Sequence, residues 1–85
     1  MSTEELKREA RHFADLAGNQ IQVAAAITAG LRETQARLME TAKASVSEVL
    51  HDAEKDLSTA ESLLVEFIRL TNGASASLTQ WSADL

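Results

Sequence analysis

Two short motifs carry the residue types that metal chemistry needs. Glu9-Ala-Arg-His12 and Glu48-Val-Leu-His51 each place a carboxylate and an imidazole one helical turn apart. Carboxylate-bridged di-metal bundles use this spacing, with further glutamates projecting inward from neighbouring helices. The surrounding apolar residues argue against that role. Glu48 and His51 fall nearly opposite the row Val46, Val49, Ala53, and His12 falls well away from Leu6, Ala10 and Phe13. Both pairs read as solvated polar residues, and with 13 acidic residues in the chain the spacing recurs by chance. No metal or other cofactor is expected.

Other reactive arrangements fare no better. Cysteine and tyrosine are absent, so there is neither a thiolate nor a phenolate to recruit. No glycine-rich phosphate loop occurs. Ser45, Ser47 and Ser58 sit in helix-forming sequence without an identifiable base. No catalytic or cofactor-binding residue is assigned, and the expectation is a non-enzymatic protein.

The elements that would position any site are helical. Aromatics make up 4% of the 85 residues, proline is absent and glycine occurs three times, so the β-branched and aromatic alternation of strands has no counterpart here. The fold class expected is all-α, a single helical domain over 1–85. A net charge of -5 disfavours nucleic acid as a partner, because phosphates demand clustered Lys and Arg. It also disfavours attraction to anionic membrane surfaces. The charged opening "MSTEELKREARH" does not read as a signal peptide. The longest uncharged stretch, 16–31, holds Gly18, Asn19, Gln20 and Gln22, too short and polar for a transmembrane helix. Localisation is expected to be cytoplasmic, or secreted by a route that needs no signal peptide.

Ser2 with Glu5 forms a capping-box pattern that starts a helix over 3–17. Gly18 and Asn19 then offer a stop and a new cap. From residue 24 the apolar residues recur in sets eleven apart. Ala24, Ile27 and Leu31 are followed by Leu38 and Ala42 (with Gln35), then by Val46, Val49 and Ala53. Leu57, Ala60 and Leu64 come next, and Ile68 with Thr71 opens a fifth, fading set, with Phe67 counted among the stripe residues that need cover. At 100° per residue these positions stay within a stripe of roughly 100°. Because the phase runs unbroken, residues 20–71 are expected to form one long amphipathic helix of about 75 Å.

A fold-back competes with that reading. The uncharged stretches 16–31 and 70–83 lie symmetrically about residue 50. An antiparallel hairpin turning near 50–53 would lay one on the other, with Asp52 capping the return helix. In either case Asn72 and Gly73 mark a stop, and a short helix over 76–84 carries Leu78 and Trp81 as a C-terminal anchor.

A lone amphipathic helix cannot bury its own stripe, and a two-helix hairpin has only a thin core. Both readings therefore lead to a bundle formed by oligomerisation, with a homo-oligomer or a helical protein as the partner. The alternative function is an amphipathic helical protein acting at a lipid surface, since such helices also use long apolar stripes; the acidic polar face weighs against it. Size, acidity and the hairpin option are similar to those of small helical-hairpin proteins of type VII secretion, and the size also to type III needle subunits. The Trp-x-Gly turn of the first group is absent, because the sole tryptophan lies in "QWSAD", and the proline-bearing turn of the second is missing. The chain is assigned to neither.

Overall fold

The computed structural model describes residues 2–44 and 47–85. Two helices, α1 (Thr3–Lys43) and α2 (Glu48–Asp84), run antiparallel as a hairpin of 63 × 15 × 15 Å. The length matches a 41-residue helix rising about 1.5 Å per residue.

The start of α1 follows the expected cap. Ser2 accepts a hydrogen bond from the Glu5 backbone N–H at 3.2 Å, and Glu4 and Glu5 place negative charge at the positive end of the helix dipole. The break expected at Gly18–Asn19 does not occur. Among the described residues no backbone φ is positive, so Gly18 is not a left-handed cap and α1 continues through it. An interior glycine costs about 1 kcal/mol; Ala17 and Ile21, both half-buried, pack against α2 on either side and offset that cost. α2 likewise runs through Asn72–Gly73, so Leu78 and Trp81 ride on the same helix as Leu57 rather than on a separate short one.

The chain is a hairpin, and the single 20–71 helix is not formed. α1 ends at Lys43, where the Ala44 N–H donates to the Thr41 carbonyl at 3.2 Å, and α2 begins after Ser47. The turn thus lies several residues before the 50–53 site, and Asp52 sits inside α2 rather than capping it. Four residues separate the helices, close to one helical turn of 3.6. The seam itself slips by about 120° across the gap, from 35, 38 and 42 in α1 to 47, 50 and 54 at the start of α2. The turn is concealed because the apolar residues of each arm span both seam and flank, a band wide enough to be drawn through as one stripe.

Burial within each helix repeats every seven residues rather than every eleven. In α1 the covered positions are 7, 14, 21, 28, 35 and 42 together with 10, 17, 24, 31 and 38, with 6 covered beside them. From the N-cap of α2 onward they are 47, 54, 61, 68, 75 and 82 together with 50, 57, 64, 71 and 78, with 53 and 60 covered beside them. The α1 side of this seam is rich in alanine (Ala10, Ala14, Ala17, Ala24), and α2 brings Leu50, Leu57, Leu64 and Leu78 to it. Small against large lets the two backbones approach closely, but it makes a thin core. Only Ala10 and Ala24 are buried hydrophobics among the described residues, and no large side chain is fully buried. Thr28, the one buried polar residue described, donates its hydroxyl to the Ala24 carbonyl at 2.8 Å and so leaves no unsatisfied group.

One polar node locks the register. Arg32 donates from Nε to Glu61 Oε1 across the two helices at 2.7 Å. Beside it the Gln35 side-chain amide lies 2.8 Å from Glu61 Oε2 and 3.1 Å from the Ser58 backbone nitrogen, and the orientation that satisfies both has its nitrogen donating to Glu61 and its oxygen accepting from Ser58. A sliding of either helix by one turn would strand Glu61, half-buried, without these partners.

Candidate interaction face

The two flanks of the seam differ in chemistry. On one flank α1 presents Leu6, Phe13, Gln20 and Ile27, spaced by sevens, with Leu16 and Val23 beside them. α2 presents Ala60, Phe67, Ala74 and Trp81, also by sevens, with Leu63 and Leu70 beside them. In an antiparallel pair these rows fall on the same side, and the surface grooves confirm it. Leu6, Ala10 and Phe13 line one groove with Leu78 and Trp81. Leu16, Ala17 and Gln20 line the next with Leu70, Thr71 and Ala74. Asn19, Val23 and Ile27 line a third, of about 360 Å³, with Leu64 and Phe67.

The opposite flank carries Arg11, Gly18, Ala25, Arg32 and Met39 from α1 and His51, Ser58, Val65, Asn72 and Thr79 from α2. It is mostly polar and holds the Arg32–Glu61 bridge. The apolar flank itself turns polar toward the hairpin turn, where Thr34, Arg37, Thr41 and Asp56 take over. An apolar surface about 30 Å long is therefore confined to the half of the hairpin away from the turn.

Its size follows from exposure. Phe13, Leu16, Val23, Ile27, Leu63, Phe67, Leu70 and Trp81 are each between 41% and 66% exposed. At roughly 200 Å² for a large apolar side chain, half exposure at these positions leaves on the order of 800 Å² of apolar surface. The largest such patch on a typical monomer is about 300–600 Å².

The stripe residues named from the sequence divide between seam and surface. Ala24 is buried, and Leu31, Leu38, Ala42, Leu57, Leu64 and Ile68 are half-buried along the seam. Ala53 and Ala60 are half-buried beside it, on the apolar flank. Ile27 and Phe67 are exposed on the apolar face, and Val49 is exposed beside the turn. Val46 lies outside the described residues. Of the C-terminal pair, Leu78 is half-buried in the seam and Trp81 is exposed at the edge of the first groove. Leu16, Val23, Leu63 and Leu70 were not singled out from the sequence. The signal that finds them is the second series of sevens, 6–13–20–27 and 60–67–74–81, visible once the two arms are read separately.

The two Glu-x-x-His motifs stay apart. Glu9 and His12 lie at the open end and Glu48 and His51 beside the turn, roughly 40 Å away along the hairpin. Among the described residues no three His, Cys, Asp or Glu side chains group closely enough to hold a metal ion. His51 instead faces Glu54, 3.9 Å away on its own helix. Some exposed charges are paired along the helices, Arg37 with Glu33 at 2.9 Å and Lys43 with Glu40 at 3.0 Å. Arg69 grips both oxygens of Glu66, and that hydrogen bonding holds the Glu66 carboxyl below its ordinary pKa and raises that of Arg69. Among the described residues no helix is long and apolar enough to cross a membrane.

No family model, no curated protein and no solved structure matches this chain.

Proposed function

We propose that this chain is a non-enzymatic helical assembly module that docks through the apolar face of its open half. One observation carries the reading: eight large apolar side chains stand exposed on one flank, while among the described residues only two alanines are buried hydrophobics. Burying a large apolar side chain is worth about 1.5–3 kcal/mol, so the roughly half-exposed residues of the outer face still hold several kcal/mol of hydrophobic energy that the hairpin alone does not use. A helical surface laid on this face would build a bundle of antiparallel coiled-coil type, with the seven-residue rows 13–20–27 and 60–67–74 serving as its second seam. The chemistry of the face agrees with packing rather than catalysis. Its three grooves are lined mostly by aliphatic and aromatic side chains, with Asn19, Gln20 and Thr71 as neutral polar members, and Glu9 is the one titratable group among their lining residues.

Sedimentation equilibrium and circular dichroism at matched concentrations test the proposal. The expected result is a particle larger than one chain whose helicity falls on dilution. A fully helical monomer that shows no tendency to associate, and that binds neutral or anionic vesicles instead, would replace docking with lipid binding.

A further inference from the structure

We infer that the occupant of this face is a second copy of the chain, docked two-fold with the hairpin turns pointing in opposite directions and Trp81 of each copy seated in the Val23–Ile27–Phe67 groove of the other. The inference rests on the proposed docking role of the apolar face and adds its partner and geometry.

Area supports a second copy. On the order of 800 Å² per chain is what each partner of a standard stable interface contributes. A self-complementary patch contacting its own image reaches that size with no other protein.

Shape selects the orientation. The apolar face is centred near Ala17 on α1 and Ala74 on α2, which face each other across one groove. A two-fold axis through that centre, perpendicular to the hairpin, maps the face onto itself end for end. The level of Trp81, beside Ala10, then meets the level of Val23, Ile27 and Phe67 in the other copy. The projecting element at one end, an indole 43% exposed, is thereby matched to the open groove at the other. The alternative axis, along the hairpin, sets the level of Trp81 against its own level, so that the indole meets the Leu6–Phe13 side of the other copy and the Val23–Ile27–Phe67 grooves face each other unfilled.

Charge acts in the same direction. The turn half, residues 32–61, carries four Lys and Arg against seven Asp and Glu. Side-by-side docking with both turns together would bring two net-acidic halves within a few ångströms of each other, whereas opposed docking places them at opposite ends, beyond the roughly 10 Å screening length at 0.1 M salt.

The chain has no cysteine, so Thr34→Cys provides a unique site for a spin label. Thr34 lies on the docking flank, 17 residues from the central level, and its substitution removes only a hydroxyl bond to the Gly30 carbonyl of its own helix. Opposed docking predicts an inter-copy label distance of about 50 Å at 1.5 Å per residue; parallel docking predicts under about 20 Å. The second measurement is Trp81 emission, which should be blue-shifted in the assembled particle and move to the red in Val23→Glu at unchanged helicity per chain.

A distance near 50 Å with the emission change establishes the arrangement. A short distance overturns the orientation while leaving docking through this face intact, and a long one with Trp81 emission indifferent to Val23→Glu overturns the seating of the indole. A helical monomer at 100 μM overturns the second copy as occupant. If Leu70→Ser also has no effect on binding to any helical surface, the docking reading itself has failed.

Discussion

Leu70→Ser separates the outer face from the seam most cleanly. Leu70 is 56% exposed, so slightly less than half of its surface is already covered by the hairpin. Full burial of a leucine is worth about 1.5–3 kcal/mol; the share still available is therefore about 1–1.5 kcal/mol per chain. In a two-fold assembly each substitution acts twice, and the loss becomes about 2–3 kcal/mol, or a weakening of the dissociation constant by roughly 30- to 150-fold. The control is Val65→Ser. Val65 is 51% exposed, close to Leu70, but lies on the opposite, polar flank beside Ser58 and Ser62. Its substitution should change the dissociation constant by less than about threefold, since surface changes away from contacts stay within about 0.5 kcal/mol. Sedimentation velocity over a dilution series reads both constants, with circular dichroism reporting that helicity is retained. Equal behaviour of the two variants would show that the flanks do not differ in the way their chemistry implies.

Leu57→Ser, in the seam, should instead reduce helicity and thermal stability at every concentration, because it removes one of the few large side chains between the helices; urea unfolding checks this. Gly18→Ala and Gly73→Ala should each stabilise the chain by about 0.5–1 kcal/mol, since both glycines lie inside helix with open space where a Cβ would stand; a drop in melting temperature at Gly18 would mean that a helix break is needed there. Glu61→Ala should cost about 1 kcal/mol in chemical denaturation by leaving Arg32 and Gln35 without their interhelical acceptor. Arg69→Ala should return the Glu66 carboxyl to its ordinary titration range, as read by carbon-13 NMR. Because the folded value is the lowered one, the stability this pair adds is present above the ordinary carboxylate range and is lost as pH falls through the lowered value.

The all-helical class was legible from composition, and the cap at Ser2 from its spacing to Glu5. What the residues concealed was the turn. "AKASVSEV" contains no glycine or proline, and the apolar residues of each arm cover both seam and flank, so an eleven-residue repeat could be read across it. The local signals were weaker ones, namely Ser47 as an N-cap type followed by acidic Glu48. Conversely, Gly18–Asn19 and Asn72–Gly73 looked like stops because local chemistry favours them there, yet the facing helix holds both segments in register. The misplaced turn also misaligned the arms. The uncharged stretch 16–31 meets α2 near 61–76 rather than 70–83, as the Arg32–Glu61 bridge just beyond it requires. Only part of each uncharged stretch therefore faces the other, and the exposed row through Leu63 and Phe67 became visible only from that register.

The composition of the seam explains why an apolar face remains outside it. Alanine at 10, 14, 17 and 24 lets α2 approach closely, but each methyl covers little area, so close approach brings geometric definition more than energy. The larger side chains of the same stretch, Phe13, Leu16, Val23 and Ile27, stand one position further round the helix, where the hairpin alone cannot cover them. A hairpin built this way is most stable when something lies on that flank. The charged turn half limits how far such packing extends, because its flank offers Thr34, Arg37 and Asp56, with the small Ala53 beside them, in place of large apolar side chains such as Phe13 and Leu16 in the open half. An isologous contact on the open half uses the same patch on both copies and closes at two chains. A head-to-tail contact would leave one apolar patch free at each end and permit continued growth. Sedimentation at rising concentration distinguishes them: the two-fold arrangement predicts a plateau at the mass of two chains, and a mass that keeps climbing would require a different geometry on the same face.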